Sequence, residues 1–434
     1  MEPSLLAYNY GLALAAAGLG PVYLAARLAG RWPEFWPRAG LFRRLPPPEP
    51  GPRVWLQAVS VGEIAVARAL ADELDRQEIK ASLIVTSSTA RGLERAREVF
   101  AGRALVAPYP LDLPWSVAAA VSRLRPDVYV SLETEIWPNL LWWLERRGVP
   151  ALLLNGRLSP RSYPLYRRIR PVIAPALARF VTLSMITHAD AARAVALGAP
   201  PARVRVDGNA KYAGLLERVH PADLDQVAHT LAVADQPLFV AGSVRSGEEE
   251  AVLTAYSQVL TRHPEAVLAV APRHVERASR WLAACARASF PAQRWSELSP
   301  EAPRRPDTRV VVVDVMGRLM DIYGLAVAVF VGASLVELGG QNPMEPAAWG
   351  KPVYFGPDMS DFADARQALE EAGGGFTVAS GDQLGWGWLE CLDDPDAARQ
   401  AGLAARRVVA AWSGAASRAA QLVAETLALV GRPR

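Results

Sequence analysis

Short, almost wholly apolar runs alternate with longer stretches of helical periodicity along most of this 434-residue chain. Runs of that kind suit strands covered on both faces, the condition of a parallel sheet flanked by helices. One series predicts strands at Val54 to Val59, Ser82 to Thr86, Val128 to Leu132, Ala151 to Leu154, Phe180 to Leu183 and Val204 to Val206. A second begins afresh with Pro237 to Ala241 and continues through Ala266 to Ala271, Val310 to Val313, Ala326 to Gly332 and Val353 to Phe355. Between the two series, Ala213 to Gln236 is polar and has no strand signal. The pattern predicts two doubly wound, Rossmann-like α/β domains, 53–212 and 237–395, joined by a linker at 213–236. A helical segment, 396–434, returns across both. Two such domains facing each other make a cleft, and ligands bind outside the carboxyl ends of the strands.

Before the first domain, the chain carries no charge from Pro3 through Ala26. A helix of that length covers roughly 30 Å of hydrocarbon, so residues 1–31 are predicted to anchor the protein in a membrane. The positive charges follow the apolar run, whereas a signal peptide places them before it. Tyr8, Tyr10, Tyr23, Trp32, Phe35 and Trp36 sit near its ends as interfacial aromatics do. Residues 32–52 form a basic, proline-rich link. Between Arg27 and Arg53 lie Arg27, Arg31, Arg38, Arg43, Arg44 and Arg53 against only Glu34 and Glu49, which places the following domains on the cytoplasmic side. Asn9, Gly11, Gly18, Gly20 and Pro21 weaken the helix, which leaves a shallow interfacial anchor as the alternative to a spanning one.

Composition narrows the class. Apolar residues make up 51% of the chain and the net charge is +3, which describes a packed globular protein and offers no electrostatic footprint for nucleic acid. Cys285 and Cys391 are too few for a disulfide framework or a thiolate metal cage and read as buried thiols.

The candidate chemistry falls at the predicted strand ends. After the strand Ala326 to Gly332, Gly339 and Gly340 supply a turn with free φ, and Pro343 opens a helix whose first amides would face an anion. Glu63 follows the first strand and Gly62; it is either a first-turn partner of the helix dipole or a general base at a cleft rim. Glu133 and Glu135 alternate after Val128 to Leu132, which on an extended chain turns both carboxylates to one side, ahead of Trp137-Pro138-Asn139. Asn155-Gly156-Arg157-Leu158-Ser159 runs into a basic, tyrosine-rich stretch containing Arg161, Tyr163, Tyr166, Arg167, Arg168 and Arg170, suited to an anionic acceptor. Gly208-Asn209-Ala210-Lys211 brings a lysine to the edge of the first domain. In the second, Ala241-Gly242-Ser243 precedes a helix opened by Glu248, Glu249 and Glu250. Pro272-Arg273-His274 and Gly317-Arg318-Leu319 also follow strands. Asp223-Leu-Asp225 and Asp394-Pro-Asp396 match the DxD spacing of metal-dependent glycosyltransferases, but both fall at helix starts, where aspartate caps, so no metal or other cofactor is expected.

Taken together, the motifs at Ser60 to Glu63, Glu133 to Asn139, Asn155 to Ser159, Gly208 to Lys211, Pro272 to His274 and Gly339 to Pro346 resemble those of the bacterial 3-deoxy-D-manno-octulosonic acid (Kdo) transferases of lipopolysaccharide assembly. The resemblance runs from the N-terminal segment past Phe376. It implies a GT-B glycosyltransferase, with an acceptor-binding domain first and a CMP-sugar-binding domain second, at the cytoplasmic face of the bacterial inner membrane. It implies CMP-Kdo as donor, a lipid A precursor (lipid IVA) as acceptor, and an inverting, metal-independent reaction. Glu63 then matches the general base, and Glu133 and Lys211 match groups that stabilise the transition state. Arg273, His274, Gly317, Arg318, Leu319, Asn342, Pro343, Met344 and Glu345 match CMP-binding segments. Glu135, Asn155, Arg157 and Ser159 fall to the acceptor. The chain departs from the family at Arg318, where an acidic residue is usual, at Gln341 in place of a histidine, and at Arg245 with Ser246. A GT-B transferase using a UDP-sugar on a lipid, and a binding protein on a degenerate transferase scaffold, are the competing readings.

Overall fold

The computed structural model describes residues 2–28, 38, 51–233 and 236–431. Apart from Arg38 and residues 51–52, the predicted 32–52 link lies outside the described residues, as does Arg31. The chain divides into two compact units, one of Met1–Ala213 with Gly414–Arg434 and one of Gly214–Ser413.

The first unit contains β1 (Arg53–Gln57), β2 (Ser82–Ser87), β3 (Ala104–Pro108), β4 (Val128–Leu132), β5 (Ala151–Gly156), β6 (Phe180–Met185) and β7 (Val204–Val206). Among the described residues they make one sheet ordered β3-β2-β1-β4-β5-β6-β7, every pair parallel. Side chains alternate to opposite faces, so one layer of helices packs on Trp55, Tyr129 and Leu153 and the other on Val54, Leu56 and Val130. The second unit contains β8 (Leu238–Val244), β9 (Val267–Pro272), β10 (Ala292–Arg294), β11 (Val310–Val312), β12 (Ala328–Val331), β13 (Val353–Phe355) and β14 (Gly375–Thr377). Its sheet is also parallel throughout, ordered β10-β11-β9-β8-β12-β13-β14.

Three strands have no counterpart in the apolar pattern: β3, β10 and β14. All three are sheet edges. An edge strand pairs on one side only, so its conformation is imposed by the neighbour more than by its own residues; Ala-Gln-Arg and Gly-Phe-Thr carry little strand signal themselves.

The polar stretch 213–236 carries single turns at Leu216–Arg218 and Pro221–Asp223 and a helix, Leu224–Leu231. The buried Arg304 stitches it to the second unit by donating to the carbonyls of Leu231 at 2.7 Å, Ala232 at 3.0 Å and Thr308 at 2.6 Å. The final helical region is two helices: Pro395–Ser413 in the second unit, Ala415–Val430 in the first. Asp394 accepts from Ala397 N at 2.9 Å, a helix cap.

Pro3–Leu28 is a 26-residue helix. No helix among the described residues is long and apolar enough to cross a membrane; asparagine, tyrosines and glycines dilute this one. Cys285 and Cys391 are free, buried thiols.

Candidate active site

In the first unit, the carboxyl ends of β1, β4 and β5 lie side by side. Ser60 caps the helix Val61–Arg76: its Oγ accepts from Glu63 N at 3.3 Å. The Glu63 carboxylate reaches back to accept from Val59 N at 2.7 Å and from Ser60 Oγ at 3.1 Å, one residue short of the reciprocal bond to the cap's own amide that a capping box makes. Glu63 is 7% exposed, and burial pushes its carboxyl above the ordinary range against the pull of those donors. Each carboxylate oxygen has a second acceptor position, so capping does not exhaust the group.

Glu135 is perturbed further. Burial is the main cause and pushes its carboxyl up to about 7; the charge of Glu63 adds to this, while donation from Trp137 Nε1 at 2.7 Å and the Arg38 guanidinium oppose it. Two carboxylates raised by burial at neighbouring strand ends, one of them raised further by the charge of the other, form the pattern expected of acid and base groups. Glu133 is placed differently from the extended-chain expectation. Its φ is 55°, so the chain turns instead of continuing the pleat, and the two-residue alternation that put Glu133 and Glu135 on one side does not apply.

Asn155 is also left-handed, at φ 55°. Its Oδ1 accepts from Ala210 N at 2.8 Å, which draws the Gly208–Lys211 loop across to the end of β5. The turn Ala210–Tyr212 packs against the helix Val61–Arg76, so Lys211 is brought to the same helix as Glu63. Leu158 N donates to the buried Asp190 at 2.9 Å, and Ser159 Oγ accepts from Ser162 N at 3.1 Å, capping the turn into Tyr163–Arg168. Ser159 is therefore engaged locally. Arg157 is half-buried near Asp190, and Arg161, Arg167, Arg168 and Arg170 are exposed.

In the second unit, β8, β9 and β12 end together. Arg245 donates to His274 Nε2 at 2.6 Å, which puts any proton of a neutral imidazole on Nδ1; Arg277 bonds Ser246. Arg273 is exposed beside them, so guanidinium groups gather at this edge. Gly317, at φ 85°, has open space where a Cβ would stand, leaving its backbone approachable, with Arg318 and Leu319 opening a short helix beyond it. Gly339 and Gly340 are both left-handed, at φ 81° and 76°. Asn342 Oδ1 accepts from Met344 N at 3.1 Å, capping a helix of only five residues, Met344–Ala348, with Pro343 at its cap. The Met344 side chain is fully buried and packs inward. Glu345 is raised by burial, opposed by Arg218 3.7 Å away and by Arg273.

The family model described as 3-deoxy-D-manno-octulosonic-acid transferase (kdotransferase) matches residues 33–214. The 3-deoxy-D-manno-octulosonic acid transferase of Haemophilus influenzae is 32% identical over 335 residues, covering 77% of this chain and 77% of its own. That of Bordetella pertussis is 30% identical over 425 residues, covering 93% of this chain and 96% of its own. The chain belongs to the Kdo transferase family. Among solved structures, Acinetobacter baumannii MurG matches with a TM-score of 0.56 at 13% identity, covering 86% of this chain and 100% of that one. UDP-GlcNAc 2-epimerase from Neisseria meningitidis, bound to UDP-GlcNAc, also has a TM-score of 0.56, at 12% identity, covering 87% and 100%. These neighbours show the fold, two parallel-sheet α/β domains of the GT-B kind.

For this Kdo transferase family member, sequence reasoning missed the buried carboxylates that hold the strand-end loops. Glu248 is fully buried and accepts four backbone amides: Arg245 N and Ala333 N at 2.8 Å, Ser334 N at 3.0 Å and Leu335 N at 3.1 Å. It ties the loop after β8 to the loop after β12. Asp112 plays the same part in the first unit, accepting from Asn139 N at 3.0 Å and Leu140 N at 2.9 Å. Little local marks either residue: beyond Arg245 N, three residues away, the partners of Glu248 lie 85 to 87 positions along the chain, and the amides on Asp112 lie 27 to 28.

Proposed function

We propose that this protein transfers Kdo from CMP-Kdo to a lipid A precursor, lipid IVA, in an inverting, metal-independent reaction with Glu63 as general base. The observation that carries the reading is the pair of buried carboxylates Glu63 and Glu135 at the strand ends of a Kdo transferase family chain, both raised by burial, with the charge of Glu63 raising Glu135 further. An acceptor hydroxyl forms its bond to the anomeric carbon as its proton passes to Glu63, and the bond from that carbon to the CMP phosphate breaks with its electron pair leaving on CMP. Glu135 and Arg157 orient the acceptor, with Asn155 and Ser159 shaping the loops beneath it. Glu133 and Lys211 support the developing charge, and Arg273, His274 and the turn before Glu345 receive the departing phosphate. The approachable backbone at Gly317 to Leu319 serves the nucleoside.

The setting we infer is the cytoplasmic face of the inner membrane. Leu6, Tyr10 and Leu14 are each more than half exposed along the helix Pro3–Leu28, which favours a helix lying in the interface over one spanning the bilayer.

The test is mass spectrometry of the lipid acceptor after incubation with CMP-Kdo generated in situ. Wild type should add the mass of Kdo, and Glu63→Ala should slow the addition by about 10² to 10⁴. No mass gain with wild type and confirmed donor overturns the reading; a gain with UDP-sugars instead moves it to the other donor class.

A further inference from the structure

The start of the helix Pro3–Leu28 is tied to the rest of the first unit by polar bonds and one buried leucine. Glu2 pairs with Arg179 at 2.6 Å, Leu5 is 3% exposed, Tyr8 OH donates to Asp112 Oδ2 at 3.0 Å, and Asn9 and Asn139 exchange two side-chain amide bonds at 2.7 and 3.0 Å. The Tyr8 and Asn9 bonds converge on the start of one helix, Pro138–Arg146. Its N-cap residue, Trp137, makes no side-chain capping bond. Asp112 caps it instead, through Asn139 N and Leu140 N, and Tyr8 supplies a third donor to that carboxylate. Asn139 is 1% exposed, so Asn9 provides partners to a buried amide that burial would otherwise make costly. Immediately upstream, Trp137 Nε1 donates to Glu135, and the Trp137 ring packs on Tyr109, whose loop leads to Asp112.

We propose that the first two turns of the N-terminal helix are part of the acceptor edge: Tyr8 and Asn9 are positioning residues that, through Asp112 and Asn139, set the Trp137 ring and with it the Glu135 carboxylate. An anchor serving only to attach the protein has no need of bonds to buried groups of the site. Here an attachment element and an acid-base group are joined by two sets of hydrogen bonds linked through adjacent backbone and the Tyr109–Trp137 ring contact, and losing the helix's seat loosens the group four residues upstream of Asn139. The inference rests on reading Glu135 as an acceptor-edge group.

The experiment uses the full chain, CMP-Kdo and a deacylated, water-soluble acceptor, so that bilayer attachment contributes nothing. Tyr8→Phe with Asn9→Ala is compared with Leu14→Ser, which alters only the exposed face of the same helix. The double variant should raise KM for the acceptor about fivefold or more, leave KM for CMP-Kdo unchanged, and speed amide exchange at Asn139 and Leu140; Leu14→Ser should behave as wild type. Unchanged acceptor KM, or an equal rise in both KM values, overturns the inference. If the double variant does not fold, Tyr8→Phe alone, which keeps the ring, decides on the same readouts. If wild type transfers nothing, the proposed function fails, and the exchange measurement alone decides: unchanged protection at Asn139 and Leu140 overturns the inference.

Discussion

Glu135 and Asp112 hold their protons to about 7 and about 6, above the ordinary 4.5 and 3.8, in each case chiefly because burial disfavours the ionised form. Both groups bind protons more tightly folded than unfolded. Their contribution to stability is therefore fully present below about pH 4 and falls as pH rises toward 7. Glu135→Gln should raise the melting temperature relative to wild type at pH 8 and have no such effect at pH 4.5, as thermal melts at the two values would show. The same variant should lose whatever limb of the pH–rate profile lies near 7, because the titrating group is gone. Glu63 differs in legibility. Ser60 followed three residues later by a glutamate marks a helix start in the sequence, and Ser60 does cap Glu63 N while the carboxylate returns to Val59 N, yet the effect of Glu63 on Glu135 depends on β1 and β4 being sheet neighbours.

At the scale of the element, the loops after the strands do the positioning, and they are held under backbone strain. Glu133, Asn155, Ser243 and Ala333 are all left-handed without being glycine, and all lie at or just after the carboxyl ends of strands. Such residues persist where surroundings over-determine them, and they concentrate at working sites. Around Ala333 the surroundings are the Glu248 carboxylate. Glu248→Ala would strand four amides and is expected to cost about 3 kcal/mol or more in urea unfolding, with donor binding weakened in parallel; Glu248→Gln, which keeps one good acceptor oxygen, should cost less. Apolar periodicity located the central strands because burial on two faces demands it. It failed at β3, β10 and β14, where a single paired side asks less of the residues.

At the scale of the whole molecule, the chain leaves the first unit at Ala213 and comes back at Gly414. The returning helix Ala415–Val430 buries Ala416, Ala420 and Val423 in the first unit's core, and Gln77 Nε2 donates to Ser417 Oγ at 2.9 Å. Arg418 bonds the carbonyl of Asp207 at 2.6 Å. Ending the chain after Ser413 should lower the melting temperature of the first unit by about 10 °C or more, taking a loss of roughly 4 kcal/mol and 2–4 °C per kcal/mol for a domain of this size. The second unit, which keeps Pro395–Ser413, should change little; calorimetry with the two transitions resolved would check both statements.

The sequence by itself determined the α/β class, the two series of central strands, the family motifs and the placing of candidate chemistry at strand ends, because these follow from local burial patterns, glycine positions and short motifs. Only the tertiary structure decided that the charge of Glu63 raises Glu135, that Asp112 and Glu248 hold the loops, that Glu133 turns away from the pleat, and that the apolar N-terminal helix begins by bonding to Asp112 and Asn139. Each of those depends on residues far apart in the chain meeting in a low-dielectric interior, where an unpaired polar group is costly and a partner must be found wherever the fold supplies one.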